Sequence, residues 1–248
     1  MEKNKKLLRF LTALIISFSV IPSAYGMHIM EGYLQPKFCV LWGVICIPFL
    51  IAGFVSLKKT LKTDRKSIIL IAMAGAFIFV LSSLKIPSVT GSCSHMTGTG
   101  LGALLFGPFA VSILGIIVLI FQAIMLAHGG ITTLGANTFS MAIAGPILSY
   151  VLYILLKKVK VNRKVSIFIA AALGDLFTYC VTSFQLAIAY PSQNGGVLAS
   201  VFKFLGVFAP TQVPLAIIEG ILTVIIIIGL ETYAKSELSA IGFLKGEK

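Results

Sequence analysis

The sequence is short of charge. Only 11% of its 248 residues are charged, and 8 acidic residues stand against 20 basic ones. Soluble domains are about 25% charged and about 45–50% apolar. This chain is 58% hydrophobic, with a mean hydropathy of +1.02. That composition excludes a soluble fold and leaves an all-α integral membrane protein built as one membrane domain. Histidine is scarcer still: His28, His95 and His128 are the whole complement, too few for a proton relay through a bilayer. Tryptophan occurs once, at Trp42, which speaks against a dry aromatic pocket for an organic vitamin. Cys39, Cys46, Cys93 and Cys180 form no C-x-x-C pair. Three of them lie in apolar runs, where a small buried hydrophobe is expected, so no disulfide framework is indicated. There is no G-x-x-x-x-G-K-[ST] phosphate loop, so the chain does not use ATP in the usual way. The absence of H-E-x-x-H and G-x-S-x-G weighs against metalloprotease and serine hydrolase chemistry.

What is present is a succession of long apolar runs. About 20 apolar residues cross a bilayer core of roughly 30 Å. Candidate spans fall at about 38–57, 67–86, 99–107, 109–127, 136–156, 165–190 and 210–233. The third is short and ends at Gly107-Pro108, as a half-span or re-entrant piece would. The net charge of +12 does not signal nucleic acid, because the basic residues gather in two connections. Lys58, Lys59, Lys62, Arg65 and Lys66 fill one; Lys157, Lys158, Lys160, Arg163 and Lys164 fill the other. The stretches 87–98, 128–135 and 191–209 carry a single charge, Lys203. Positive-inside reasoning puts the basic connections in the cytoplasm and the neutral stretches outside. The count then closes at seven spans, with the mature N-terminus outside and the C-terminus inside. All three histidines fall on the outer side.

Residues 1–26 read as a signal peptide: Lys3, Lys5, Lys6 and Arg9, an apolar run from Leu11 to Ile21, and small residues at Ala24 and Gly26. Cleavage after Gly26 makes Met27-His28 the mature N-terminus. The terminal amine, the next amide nitrogen and the His28 imidazole then close fused five- and six-membered chelate rings around one metal. Three nitrogens in a plane with a fourth corner open suit Co(II), Ni(II) or Cu(II), not the oxygen-seeking Ca(II) or Mg(II). Without cleavage, residues 7–25 form an extra anchor and His28 is an interfacial loop residue.

His95 sits in a polar, glycine-rich loop, Thr90-Gly91-Ser92-Cys93-Ser94-His95-Met96-Thr97-Gly98. It is either solvated or the missing fourth donor. His128 follows a long apolar run. It reads as a C-terminal helix cap with Gly129 as the stop, or as an outer hydrogen-bonding partner of the site, rather than as a direct ligand. Asp175 and Glu219 lie inside spans, where acids are costly and suggest function, although helix packing explains Glu219 equally well. Gln122 and Gln185 suit hydrogen bonds between helices. The small residues from Ala72 to Ala76 allow close helix packing, internally or against another membrane protein.

Three separated runs resemble the cobalt-uptake CbiM family. They are Met27 to Leu34; Lys85 to His95, continuing through Thr97-Gly98-Thr99-Gly100-Leu101-Gly102 and Phe106-Gly107-Pro108; and Leu126-Ala127-His128-Gly129-Gly130 with Gly135-Ala136-Asn137. The resemblance spans about residues 27–235, beyond which 236–248 reads as a cytoplasmic tail. It implies a substrate-binding (S) component of an energy-coupling-factor transporter, with a six-helix core plus an added N-terminal helix. It implies metal ligation by the Met27 amine, the His28 amide and imidazole, and His95. Ser94 and His128 support the site from nearby. It further implies a transmembrane coupling (T) subunit contacted near Ala72 and Ala76, cytoplasmic ATPase subunits and a small accessory membrane subunit. Ser92-Cys93-Ser94-His95 is similar to the cobalt branch; Gln35 and Met96 depart from the usual pattern without removing a donor. The expected function is Co(II) capture for cobalamin biosynthesis, at the plasma or inner membrane, with no cofactor of the protein's own. The alternatives are a nickel-specific component of the same class and an intramembrane metalloenzyme built on His95, His128 and Asp175.

Overall fold

The computed structural model describes residues 25–26, 28–63, 67–87 and 92–244. Its helices, in chain order, are α1 (Pro36–Thr63), α2 (Ser67–Ser83), α3 (Thr99–Phe106), α4 (Pro108–Leu126), α5 (Leu134–Lys158), α6 (Arg163–Ala189), α7 (Gly196–Tyr233) and α8 (Lys235–Ala240). Three very short strands accompany them: β1 (Tyr25–Gly26), β2 (Ile86–Pro87) and β3 (Ser92–Ser94). The central β3 pairs parallel to β1 and antiparallel to β2. Among the described residues, α1, α4, α5, α6 and α7 are long and apolar enough to cross a membrane, and α2 is a shorter apolar helix. The chain is a multi-pass, all-α membrane protein.

The apolar excess goes to the periphery. On α1, Val40, Val44, Ile47, Ile51 and Phe54 recur at helical spacing and are 50–66% exposed, the signature of a face turned to lipid. The opposite face of α1 packs so closely that a Cβ on Gly53 would stand 2.4 Å from the Phe109 carbonyl oxygen. Small residues make such backbone approaches possible where lipid offers no hydrophobic drive to association.

One element meets the sequence expectation and one differs from it. The short third span is an eight-residue helix, about 12 Å long and less than half a bilayer. Residues 94–105 are all buried, so non-helical chain before α3 continues its path through the bundle. Irregular backbone is tolerated there only when protein groups satisfy its amides, a role that falls to Glu219. The difference is at 191–209, expected as an outer loop. There α7 begins at Gly196 and runs 38 residues, about 57 Å. Phe204, Leu205 and Phe208 hold this extension against Ile29, Leu34 and Tyr179, so the apolar face continues past Lys203. Pro210 and Pro214 lie inside the helix, where each withholds an amide donor; the Tyr179 hydroxyl donates to the Leu205 carbonyl, five residues before Pro210.

At the end of the bundle opposite the histidines, Arg163 pairs with Glu231 at 2.6 Å. Asn162 caps α6 by accepting from the Lys164 amide at 3.0 Å. Helix α8 folds back over this end and buries Leu238 against a core that includes Leu70, Tyr153 and Ile227.

Candidate metal centre

Three loops deliver one histidine each to a single buried point. His28 precedes α1, His95 lies between β3 and α3, and His128 follows α4; their exposures are 3%, 0% and 1%. His28 Nδ1 stands 2.7 Å from His95 Nε2 and 2.8 Å from His128 Nε2. One nitrogen from each ring falls within 4.8 Å of the others. His28 and His95 stack at 4.6 Å with a 15° interplanar angle, while His128 is edge-on to both.

Proton counting shows what this point favours. His95 Nδ1 lies 2.8 Å from the Met96 carbonyl, which accepts only, so Nδ1 carries the proton and Nε2 presents a lone pair. If His28 Nδ1 is bare, two lone pairs meet at 2.7 Å. If it is protonated, one hydrogen serves two acceptors. A cation resolves either arrangement. The spacing also fits: donors on adjacent corners of a square lie about 2.8 Å apart for metal–nitrogen bonds of about 2.0 Å. Burial, then the neighbouring His128 and His95, holds His28 well below the ordinary imidazole range. Burial likewise pushes His128 down to about 2, with His95 and Lys85 adding to it. Neutral imidazole is the metal-binding form.

The surroundings hold these loops by hydrogen bonds. The Glu219 carboxylate accepts from Thr97 N at 2.6 Å, Thr97 Oγ1 at 2.9 Å and Gly98 N at 2.9 Å. It thereby satisfies amides at the start of α3, where Gly98 is left-handed at φ 68°. The Gln212 side chain donates to the His95 carbonyl at 3.2 Å and to Asp175 Oδ2 at 2.5 Å. Ser94 Oγ bonds Thr211 Oγ1 at 2.7 Å, fastening β3 to α7. Asn137 at the top of α5 brackets the Ile29 peptide, accepting from its N–H at 2.8 Å and donating to its carbonyl at 3.0 Å.

The residues singled out from sequence divide accordingly. His28, His95 and His128 come together, and Ser94 is adjacent but engaged with α7. Met27 and the segment 1–24 lie outside the described residues. The His128 ring does not cap α4. Ala127 ends that helix in a left-handed turn at φ 45°, the His128 backbone N–H donates to the Gln122 carbonyl at 3.1 Å, and the ring turns to His28. Gln122 donates to Ser82 Oγ at 2.6 Å and Gln185 to the Ala136 carbonyl at 3.1 Å, as interhelical polar residues should. Ala72 and Ala76 are exposed on α2; Ala76 lines an apolar groove of about 440 Å³ with Met73, Phe77, Leu101 and Leu105. Gln212 and Thr133 carry no sequence signal of their own, and Asn137 stood out only as part of a motif.

The family model described as "Cobalt uptake substrate-specific transmembrane region" matches residues 28–237. The chain belongs to the CbiM family. It is 69% identical over 245 residues to the cobalt transport protein CbiM of Lachnoclostridium phytofermentans, covering 99% of this chain and 98% of that relative. It is 58% identical over 226 residues to the protein of the same name from Clostridioides difficile, covering 91% and 90%. A crystal structure described as a transition metal transporter superposes with TM-score 0.69 at 27% identity, covering 89% of this chain and 100% of that one. A truncated transition metal transporter gives 0.70 at 27% identity over 83% of this chain and 99% of the other. Membership of the CbiM family makes the chain a transporter component rather than an enzyme, which sets aside the metalloenzyme reading of His95, His128 and Asp175.

Proposed function

We propose that the protein is the substrate-capture subunit of an energy-coupling-factor importer, binding Co(II) at the outer face for cobalamin biosynthesis. The observation that carries this reading is the buried meeting of His28 Nδ1 and His95 Nε2 at 2.7 Å, a separation suited to neighbouring corners of one planar metal site. Signal cleavage after Gly26 supplies the other donors, the Met27 amine and the His28 amide. His128 stands beside the plane and packs edge-on against the His28 ring. Because donors come from the N-terminus and from the segment before α3, one metal ion ties two separate pieces of chain into a closed site. The protein then needs an external energy source: cytoplasmic ATPase subunits acting through a coupling subunit, with a small accessory membrane subunit. The groove at Ala76 suits a coupling-subunit helix, since small side chains permit close backbone approach. The mature N-terminus is outside and the basic connections are in the cytoplasm of the plasma or inner membrane.

The test is mass spectrometry of the mature N-terminus followed by titration calorimetry with Co(II). Two residues added ahead of Met27 shift the amine by up to about 7 Å and break the fused chelate. A single added residue is unsuitable, because Xaa-Met-His supplies four nitrogens by itself and no longer needs His95. Loss of tight binding is expected in the two-residue extension and in His95→Ala. An extended protein that binds Co(II) within tenfold of the cleaved one refutes the donor set.

A further inference from the structure

We infer that Asn137, assisted by Thr133, is a gauge of chain register: it reads the backbone at Ile29 and so fixes how many residues reach forward to the metal. This rests on the donor set proposed above. The carboxamide of Asn137 meets both edges of one residue, with Ile29 N–H donating to Oδ1 at 2.8 Å and Nδ2 donating to the Ile29 carbonyl at 3.0 Å. Thr133 Oγ1 donates to the same carbonyl at 2.6 Å. All three residues are buried, and the pairing fixes which end of the amide is oxygen.

A second contact lies two residues on. Glu31 N–H donates to the Gly129 carbonyl at 3.1 Å, and the Glu31 carboxylate accepts from Thr132 N at 3.1 Å and Thr132 Oγ1 at 2.5 Å. The loop is shaped to admit this chain. A Cβ on Gly130 would lie 2.6 Å from Glu31 Cα, and one on Gly129 would lie 3.1 Å from Asn137 Nδ2. Residues 129–137 therefore form a cradle for peptide backbone.

Backbone reading is indifferent to side-chain identity, so what it measures is distance along the chain. With Ile29 clamped, the mature chain has two residues ahead of it, Met27 and His28, which the chelate requires. Each residue of slip moves the chain by roughly 3.3–3.6 Å, more than a metal–ligand bond of about 2.0 Å. A chelate formed one residue out of register thus cannot share its metal with His95. The clamp converts a free N-terminal dipeptide, which binds metal anywhere, into one corner-sharing partner of His95.

A double-mutant cycle tests this. One glycine inserted between His28 and Ile29 leaves the amine, amide and imidazole of Met27-His28 intact and changes only their distance from the clamp. In the otherwise unaltered protein the insertion is expected to weaken Co(II) binding by at least about 100-fold, the upper end for displaced supporting groups. The Cu(II)-loaded form should lose one nitrogen from its electron paramagnetic resonance pattern. Asn137→Ala alone is expected to cost roughly 10–100-fold, and in that background the insertion should cost less than about tenfold, because the hold on Ile29 is reduced to the Thr133 hydroxyl. Asn137→Asp, which keeps size and one acceptor but not the donor to Ile29, serves if the alanine variant does not fold. Additive costs overturn the gauge even where the two-residue N-terminal extension abolishes binding. An extension that leaves binding intact overturns the donor set beneath it.

Discussion

Glu219→Ala should unseat the segment that carries His95 although position 219 touches no proposed ligand. The Glu219 carboxylate accepts from two buried amides, Thr97 N at 2.6 Å and Gly98 N at 2.9 Å, and from the Thr97 hydroxyl. The hydroxyl has an alternative in Thr99 Oγ1, 3.1 Å away; the Thr97 amide has only the neighbouring Asp175 carboxylate, and among the described residues the Gly98 amide has no other acceptor. An unpaired buried donor costs about 1–3 kcal/mol, so two cost up to about 6 kcal/mol, less where Asp175 takes up the Thr97 amide. For a chain of this size each kcal/mol moves the melting temperature by roughly 2–4 °C, which predicts a fall of roughly 5–20 °C. The assay is thermal unfolding in detergent, with Co(II) calorimetry on the same samples. Because Thr97 is two residues from His95, affinity should fall as well. Glu219→Gln should be intermediate, since one amide oxygen still accepts while the new amino group faces a backbone N–H. A melting temperature within 2 °C of the parent for Glu219→Ala, or a glutamine variant worse than alanine, would refute the capping argument.

His128→Ala should reduce Co(II) affinity by roughly 10–100-fold, the cost of losing a group that supports a ligand, and leave the planar spectrum in place; a lost nitrogen in the spectrum would instead make His128 a ligand. In metal-free protein, His28 and His128 are held below the free imidazole value near 6.5. The unfolded chain therefore binds more protons below that pH, and stability should be full above about 6.5 and decline as pH falls. Melting curves from pH 7.5 to 5 check the sign, and a rise would contradict it. Ala76→Trp should abolish co-purification with a coupling subunit while leaving Co(II) binding within about twofold; retained association would place the partner elsewhere.

Much of the architecture was legible because apolar run length and the placement of lysines report directly on membrane crossing. His28, His95 and His128 were all placed at one end from loop charge alone, and the structure brings them to one point. What stayed hidden was contact between residues far apart in sequence. Glu219 and Thr97 are separated by 122 positions, and Ile29 and Asn137 by 108. No local periodicity encodes either bond. The early start of α7 was hidden because 191–209 reads as a neutral loop, whereas packing around Phe204 and Phe208 holds it as helix. Half-helix α3 was visible as a short run; its completion by non-helical chain depends on an acceptor from another helix.

Helix α5 is fixed along its middle and aimed at its upper end. Gly115 and Gly174 admit it so closely that a Cβ on either would collide with Ala142 or with Ser149, which leaves no freedom to rotate. The winding is π-helical from Thr138 to Ala144, so that Ala142 lies within it and Ser149 beyond it, and Asn137 stands immediately before it. An α-helix advances about 100° per residue, so removing one residue between Thr138 and Met141 would swing Asn137 away from Ile29 while Ala142 stays against Gly115 and Ser149 against Gly174. The wide turn thus acts as a phase shifter: it decouples the azimuth at which the helix is packed from the azimuth at which it reads the N-terminal strand of chain.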